Sequence, residues 1–192
     1  MTDSYVELHG RSAFSFLEGA SPPEEMATEC AHLEMGALAL LDRNGVYGAP
    51  QFHKAALKQG IKAHVGAEVS VNGAWCCPLL VRNRTGYQNL CRMITQMKLR
   101  AEKGKGEIAV DELAERSQGL VFLTGGDDGL PASSLESGID AATGSISQMV
   151  EIFGRDNVYV ELQRHYDRAQ ESRNKAAIQI ARRLRLDRKS VV

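Results

Sequence analysis

Short apolar runs of strand length alternate along this chain with amphipathic stretches of helical spacing. Ala37–Leu41 (ALALL) is an uninterrupted apolar run, and Leu120–Thr124 (LVFLT) is of the same kind, as expected of strands covered on both faces. Between such runs, Pro50–Gln59 and Gly86–Arg100 carry apolar residues on one helical face. The pattern predicts an α/β fold in which about seven strands with intervening helices form a parallel barrel or an open sheet.

The element boundaries follow from this periodicity and from turn residues. The first helix is expected to open with a capping box over Ser21–Glu24 and with Pro at its first position, and the second to stop at Gly60. No strand pattern is predicted after the last helix. The predicted strands are Val6–Leu8, Ala37–Leu41, Ile61–Val65, Ala67–Val71, Trp75–Val81, Leu120–Thr124 and Val158–Leu162; the other predicted helices include Val110–Glu115, Ile139–Phe153 and one from about Arg168 to Arg185.

Charge and cysteine usage narrow the class of protein. The 192 residues carry a net charge of −1, which gives no general electrostatic reason to bind nucleic acid. The four cysteines contain no C-x-x-C pair, which fits a reducing cytoplasm. No apolar run reaches the roughly 20 residues of a membrane-spanning helix. We therefore expect a cytoplasmic protein without a membrane partner.

Polar residues gather just beyond the ends of the predicted strands, where parallel α/β proteins build their sites. The stretch Tyr5–Ala20 carries His9, Arg11, Ser12 and Glu18, of which His9 and Glu18 could form half of a metal site; a hydrogen-bonded loop histidine is the plainer alternative. The pair Asp127-Asp128 is interpreted as solvated turn residues rather than metal ligands. The complete set of strand-end residues is His9, Glu18, Asp42, Arg43, Glu68, Thr124 and His165.

Five segments, taken in order, resemble the N-terminal PHP (polymerase and histidinol phosphatase) domain of bacterial C-family DNA polymerases, and they are most similar to its error-prone branch. The resemblance runs from Tyr5 to about Leu186 and implies a PHP-type distorted parallel (β/α)7-like barrel, incomplete at the C-terminus. The segments are YVELHGRSAFSFLEGASPPEE, ALALLDRNGVYGAPQFHKAALKQGIKAHVGAEVSV, LLVRNRTGYQNLCRMI, GLVFLTGG and NVYVELQRH.

The resemblance also implies a degenerate metal site. Intact members of the family hold a cluster of metal ions with histidines and carboxylates at set positions, and this chain keeps only part of that pattern. Arg11 and Arg43 stand where the family has histidines, Cys76 falls where a histidine is usual, Gly126 falls where a cysteine is common, and the terminal Asp-x-His pair is missing. The kept positions are His9, Glu18, Asp42 and Glu68.

The two arginines bear on the metal site through their chemistry. A guanidinium has no lone pair to offer and would repel a divalent cation. Arg11 and Arg43 are therefore expected to form ion pairs with Glu18 and Glu68 in a vestigial site, although they could instead hold a phosphate, as arginine forks do. No metal is expected in this chain, and the weak candidate ligands are His9, Glu18, Glu68 and Cys76.

The resemblance implies that the full-length protein is a DNA-directed DNA polymerase that acts in damage-tolerant replication and DNA repair. Its catalytic carboxylates and Mg²⁺ would lie beyond residue 192, so this fragment alone is expected to be a scaffold and not a catalyst. DNA and deoxynucleotides would be bound by the missing domains, with a sliding clamp and accessory mutagenesis proteins as further partners. The alternatives are a free-standing PHP metal-dependent phosphoesterase related to histidinol phosphatase, and a purely structural interaction domain.

The last six residues are expected to be foreign to the domain. Residues 1–186 are assigned to a partial PHP domain, and residues 187–192 (DRKSVV) to a non-native tail. The reason is that one frame of a common sequencing adapter, GATCGGAAGAGCGTCGTGTAG, encodes these six residues and a stop.

Overall fold

The computed structural model describes residues 5–164 and 168–191. The chain divides into two compact units, Met1–Glu68 (unit 1) and Val69–Val192 (unit 2). The strand β3 (Lys62–Val71) contributes residues 62–68 to unit 1 and residues 69–71 to unit 2. Within the described part of the chain, none of the helices has the length and apolar character that crossing a membrane requires.

Unit 1 is a three-stranded parallel arrangement, in which β2 pairs with both β1 and β3. A parallel pair needs a crossover, and a helix supplies each one. One face of β2 packs with the helices around Leu38, Leu40 and Phe52, all of which are buried. The elements of unit 1, in chain order, are β1 (Glu7–Gly10), α1 (Pro23–His32), β2 (Ala37–Arg43), α2 (Ala49–Gln59) and the first part of β3.

The helix ends of unit 1 agree in part with the sequence prediction. α2 stops at Gly60, which has φ +71° as a left-handed C-cap requires, so that prediction is confirmed. α1 begins at Pro23, but the capping box predicted over Ser21–Glu24 is wrong. Pro22 occupies the N-cap position, and its side chain has no oxygen that could accept a hydrogen bond from the first turn.

Three predicted strand boundaries of unit 1 also shift. β1 lies further along than Val6–Leu8, so His9 is inside the strand rather than after it. β2 continues through Asp42 and Arg43 because both residues pair with β3. The two strands predicted on either side of Gly66 are one continuous strand, since Gly66 keeps its place in the ladder opposite Leu41.

Unit 2 is a mixed sheet whose strands neighbour one another in chain order. β4 and β5 are antiparallel, whereas β5 with β6 and β6 with β7 are parallel. Its elements after β3 are β4 (Trp75–Val81), α3 (Arg84–Arg100), α4 (Val110–Arg116), β5 (Leu120–Leu123), α5 (Leu130–Leu135), α6 (Ile139–Phe153), a short 3-10 helix (Arg155–Asn157), β6 (Val158–Gln163), α7 (Arg168–Leu184) and β7 (Asp187–Val191).

The antiparallel pair corrects the expectation of an all-parallel sheet. Asn72 and Gly73 have φ of +48° and +64°, and the Ala74 N–H donates to the Val71 carbonyl over 3.0 Å. These features define a type I′ turn, which reverses the chain within two residues and leaves no room for a helical crossover. β4 therefore runs opposite to the end of β3. The later strands β5, β6 and β7 are joined by helices and are parallel to one another.

The core of unit 2 contains the residues that helical spacing assigned to it. Met93 and Met97 of α3 are buried, as predicted, and Phe122 of β5 packs edge-on against Trp75 and stacks on Phe153 with ring centroids 6.3 and 5.5 Å away. β4 and α6 have the predicted bounds. The predicted α/β class is therefore confirmed, with the one reversed strand as its exception.

β7 overturns the expectation that no strand follows Leu186. Residues from Tyr159 to Gln163 pair in parallel with Asp187 to Val191 along the whole length of the strand. The segment DRKSV is mostly polar, so hydrophobic periodicity carries no signal for it. This segment is a strand because it pairs with β6, and its own sequence pattern does not show that pairing.

Candidate functional site

The buried carboxylate of Glu68 lies at the centre of a charged cluster in unit 1. Nε2 of His9 lies 2.7 Å from Oε2 of Glu68, and Nε of Arg11 donates to the same oxygen over 3.0 Å. Nη1 of Arg43 donates to the other oxygen, Oε1. Both oxygens of a carboxylate with no solvent exposure are thus engaged by side chains that carry or can carry positive charge.

The parallel register brings these residues together. Arg43, the last residue of β2, and Glu68 of β3 are register partners, and the Asn44 N–H donates to the Glu68 carbonyl over 2.7 Å. β1 lies on the other side of β2, with Gly10 opposite Leu40, so His9 and Arg11 reach the same edge. Residues separated by up to 59 positions in sequence therefore meet in one place.

Glu18 forms the outer side of the cluster. Its Oε2 lies 3.3 Å from Nη1 of Arg11, and its Oε1 lies 3.5 Å from Nη2 of Arg43. The Glu18 side chain is 33% exposed and each arginine side chain 26% exposed, in contrast to the fully buried Glu68. Each arginine therefore bridges the inner carboxylate of Glu68 and the outer carboxylate of Glu18. These are the ion pairs expected from the sequence.

Local geometry fixes the loop that carries Glu18. The Glu18 N–H donates to the Ser15 carbonyl over 2.9 Å, and Leu17 adopts a left-handed φ of +65°. Gly19 lies so close to Ser12 that a Cβ at position 19 would be 2.0 Å from the Ser12 carbonyl oxygen. A glycine is required there because any side chain would force the loop open.

The positive groups hold Glu68 in its charged form. Burial by itself would raise the pKa of Glu68, but the hydrogen bond and charge of His9, with the charges of Arg11 and Arg43, outweigh burial and lower it to about 2. Glu68 is therefore ionised at neutral pH. Its charge offsets the guanidinium charges inside the fold.

Asp42 has a separate structural role in the same unit. Its Oδ1 accepts hydrogen bonds from the Ser12 N–H over 2.8 Å and from the Ser15 hydroxyl over 2.8 Å, and the Ser12 hydroxyl lies 2.9 Å from both carboxylate oxygens. The Ser15 hydroxyl in turn accepts from the Arg43 N–H over 3.0 Å. Asp42 thus anchors the loop after β1. Ser15 is not among the predicted site residues; the signal for it is its position three residues after Ser12, opposite the polar end of β2.

Cys76 belongs to unit 2 and is buried on β4. Its N–H donates to the Asp128 carbonyl over 2.7 Å, and its sulfur lies within 4.8 Å of an Asp128 carboxylate oxygen. Asp127 forms an ion pair with Arg173 of α7. Asp127 therefore takes part in a surface ion pair, whereas Asp128 lies near the Cys76 thiol.

The remaining strand-end residues of unit 2 hold its sheet together. Thr124 is buried, and its hydroxyl oxygen accepts from the Glu161 N–H over 2.9 Å. Gly126 lies against Gln163 of β6, whose Oε1 would be 1.9 Å from a Cβ at position 126. His165 lies outside the described residues, so its place in a site stays a prediction.

Residues 7–165 match the family model described as the PHP domain. This stretch covers most of the chain, and the chain therefore belongs to the PHP domain family.

Among the curated relatives, the chain is similar to two error-prone DNA polymerases. It is 38% identical over 192 residues to the one from Mycolicibacterium paratuberculosis (strain ATCC BAA-968 / K-10), covering 93% of this chain and 18% of that protein. It is 38% identical over 190 residues to the one from Anaeromyxobacter sp. (strain K), covering 94% and 16%. The chain thus spans less than a fifth of the length of these relatives.

A solved structure shows the same fold at low sequence identity. The metal-dependent phosphoesterase from Bifidobacterium adolescentis superposes with a TM-score of 0.56 at 14% identity, covering 98% of this chain and 87% of that one. The likeness supports the expected PHP-type α/β fold.

The donor atoms of the unit 1 cluster do not fit a divalent metal ion. His9 and Glu68 are the donor types such an ion uses, but both Glu68 oxygens are hydrogen-bonded to guanidinium groups. A divalent ion about 4 Å from one guanidinium would be repelled by about 8 kcal/mol at an effective dielectric constant of roughly 20. Two arginines therefore supply, as fixed charges, the positive charge that metal ions would supply in an intact site.

Proposed function

We propose that this chain is the N-terminal PHP region of an error-prone DNA polymerase, in which the unit 1 cluster serves as a scaffold of ion pairs. The observation that carries the scaffold role is the pairing of Arg11 and Arg43 with both Glu18 and Glu68. The similarity to error-prone polymerases along almost the whole chain supports the assignment.

The scaffold role rests on charge balance. Two guanidinium groups face two carboxylates, so these four charges balance one another. Removing one partner from such a set leaves an uncompensated charge, which costs about 3–5 kcal/mol when the site is buried. The arrangement therefore stabilises the loop after β1 against β2 and β3, without a bound ion.

The catalytic role is assigned to the rest of the proposed polymerase. Nucleotidyl transfer needs carboxylates that hold two metal ions, and we assign these and their Mg²⁺ to a region downstream of this chain. DNA and deoxynucleotides are then substrates of that region, a sliding clamp and accessory mutagenesis proteins are its proposed partners, and damage-tolerant replication and repair in the cytoplasm is its proposed setting. This chain alone is proposed to be non-catalytic.

Elemental analysis after expression with added zinc, manganese and iron tests the scaffold role. We expect no stoichiometric metal in the purified chain. Two or more tightly held ions per chain would contradict the proposal. A Cys76→Ser variant is the control for unit 2, because a single ion that is lost in this variant depends on the Cys76 thiol.

A free-standing metal-dependent phosphoesterase is the second candidate. The observation in its favour is that His9, Glu18 and Glu68 still lie together at one sheet edge. Hydrolysis of p-nitrophenyl phosphate with added Mn²⁺, lost on Glu68→Gln, would support it. Recovery of the downstream reading frame separates the two candidates, since a polymerase palm domain supports the first and a stop soon after an Asp-x-His strand supports the second.

The domain boundary at residue 186 is a further proposal. We infer that residues 187–192 are a tail of foreign origin, although residues 187–191 pair with β6. Sequencing the source DNA across this junction tests the idea. Native codons for these six residues followed by a genuine stop would refute it.

A further inference from the structure

We propose that the outer face of α3 is a docking site for a partner protein that presents an amphipathic helix with acidic flanks. The proposal concerns unit 2 alone, and it depends neither on the scaffold role of the unit 1 cluster nor on the polymerase assignment. The surface in question, the α3 groove, is lined by Cys91, Arg92, Thr95, Gln96, Leu99 and Arg100.

α3 carries apolar residues on two faces, and the core of unit 2 covers one of them. Leu90 and Met97 on the inner face are fully buried. Tyr87, Cys91 and Leu99 follow one another at intervals of four and eight residues, which places them along a single ridge of the helix. Tyr87 is 40% exposed and Leu99 is 83% exposed. Because such ridges pack into the grooves of a neighbouring helix, the outer face of α3 is a surface suited to helix packing.

The α3 groove is formed before any partner arrives. It is an open groove of about 520 Å³, and α4 holds two of the side chains that line it. Arg100 donates to both carboxylate oxygens of Glu112, each over 2.7 Å, and Nη2 of Arg116 donates to Oε1 of Gln96 over 2.9 Å. Side chains that are already held lose little conformational entropy when a partner binds. The groove therefore needs little rearrangement to accept a helix.

Charge indicates the chemistry of the partner. α3 contains four basic residues and no acidic residue. Glu112 balances Arg100 at the C-terminal end of the helix, whereas Arg84 and Arg92 are exposed in its N-terminal half. Carboxylates that face this half would form ion pairs, and ammonium groups at the same places would be repelled. The complementary surface is therefore an apolar stripe with acidic side chains beside it.

A protein helix fits the α3 groove better than a nucleic acid does. Binding to a phosphate backbone relies on several cations, each of which contacts a phosphate. The groove instead combines Leu99, Cys91 and Thr95 with two arginines, one of which already forms an ion pair with Glu112. Recognition of an amphipathic helix uses apolar anchors at helical spacing, which is the pattern that α3 presents.

The first test is binding of a synthetic helical peptide to the full chain, measured by fluorescence anisotropy. The probe contains leucines at helical spacing and glutamates on both flanks of the leucine stripe. We expect it to bind, and we expect its affinity to fall as salt screens the ion pairs. A control peptide with the same leucines but lysines in place of the glutamates should bind at least about tenfold more weakly. Absence of binding at roughly 1 mM acidic peptide, or equal binding of the two peptides, would overturn the proposal.

A native thiol locates the bound peptide. Cys91 is half-buried in the groove, whereas Cys30, Cys76 and Cys77 are buried. N-ethylmaleimide should therefore modify Cys91 first, which peptide mapping by mass spectrometry verifies. The acidic peptide should slow this modification in proportion to the fraction of chains that it occupies. An unchanged rate at saturating peptide would place the binding outside the groove and refute the proposal.

Variants of exposed residues test the two parts of the surface. Leu99→Ser should weaken peptide binding roughly ten- to hundredfold, as expected when a buried leucine contact is lost. Arg92→Glu should weaken it roughly three- to tenfold, as expected for an exposed ion pair. Leu57→Ser and Lys58→Glu are the matched controls, because both residues are exposed on α2, and they should leave the affinity unchanged. Equal affinities in Leu99→Ser and Leu57→Ser, with circular dichroism confirming that both variants are folded, would refute the docking site.

Two other occupants of the groove are outcomes of the same assays. Protection of Cys91 by a single-stranded oligonucleotide, with no protection by the acidic peptide, would assign the groove to nucleic acid. A dimer that forms with increasing protein concentration and is lost in Leu99→Ser would assign it to a second copy of this chain. Either result would overturn the proposed partner. We expect instead a monomer by analytical ultracentrifugation and protection by the acidic peptide alone.

Discussion

Replacing Glu68 with Gln tests how much of the chain's stability depends on one buried charge. A fall in the pKa of Glu68 from 4.5 to about 2 corresponds to about 3 kcal/mol at roughly 1.4 kcal/mol per pKa unit. Because the carboxylate is fully buried, little of this energy is screened by solvent. The Glu68→Gln substitution removes one charged partner from Arg11 and Arg43. We therefore expect it to lower the free energy of unfolding by about 3 kcal/mol at pH 7.

The pH dependence gives this prediction a second readout. Since the pKa of Glu68 is lower in the folded state, its stabilisation is complete above about pH 4.5 and is lost as the pH falls toward about 2. The difference in unfolding free energy between wild type and Glu68→Gln should therefore shrink between these pH values. Other carboxylates with lowered pKa, such as Glu112, contribute equally to both proteins and cancel in the difference.

Urea unfolding followed by circular dichroism at pH 7, 5, 4 and 3 measures both effects. Amide hydrogen exchange of peptides from β2 and β3 then shows whether the loss is confined to unit 1. Glu112→Gln is the matched control: Glu112 pairs with Arg100 at 2.7 Å on a more exposed surface and should cost at most about 1 kcal/mol. A Glu68→Gln protein within about 0.5 kcal/mol of wild type at pH 7, or a difference that does not change with pH, would refute the reasoning.

Three further changes test the site and the turn. The double variant Arg11→His and Arg43→His should bind metal and melt at a higher temperature with added Mn²⁺ or Zn²⁺, because the histidine and carboxylate donors of the cluster remain. If neither the bound metal nor the melting temperature increases, the donors do not converge. Ser15→Ala should cost about 1–3 kcal/mol in the urea assay, because a buried carboxylate of β2 loses one of its hydroxyl donors; an unchanged midpoint would contradict this role. Gly73→Ala should cost about 1–2 kcal/mol, because φ is +64° there, whereas Gly36→Ala, with open space around it, should cost less; equal costs would argue against the type I′ turn.

The sequence alone was sufficient where the signal is local. β4 and α6 have the predicted bounds, and α2 stops at its glycine, because apolar spacing and a left-handed C-cap are properties of neighbouring residues. The direction of β4 was missed although Asn72-Gly73 is a strong hairpin signal, since the alternation of strands and helices elsewhere favoured a parallel sheet. β7 was missed because a polar strand is made by its pairing with β6 and not by its own composition.

The residue types at the strand ends also predicted the kind of cluster. Two arginines beside two carboxylates do not make the donor set of a metal centre, and ion pairs between them follow from chemistry that can be read in the sequence. The sequence could not assign different roles to Glu18 and Glu68, and it did not show that Asp42 turns to Ser12 and Ser15. Those roles depend on which side chain the register of β2 with β3 buries.

Tertiary structure decided the strengths of these interactions. The number and sign of the charges are fixed by composition, but the energy of each pair depends on the distance between the charges and on the solvent that surrounds them. Both quantities arise only when residues up to 59 positions apart meet at one sheet edge, with Glu68 fully buried and Glu18 one-third exposed. One residue type, glutamate, is thus fully buried at one place in the cluster and one-third exposed at another.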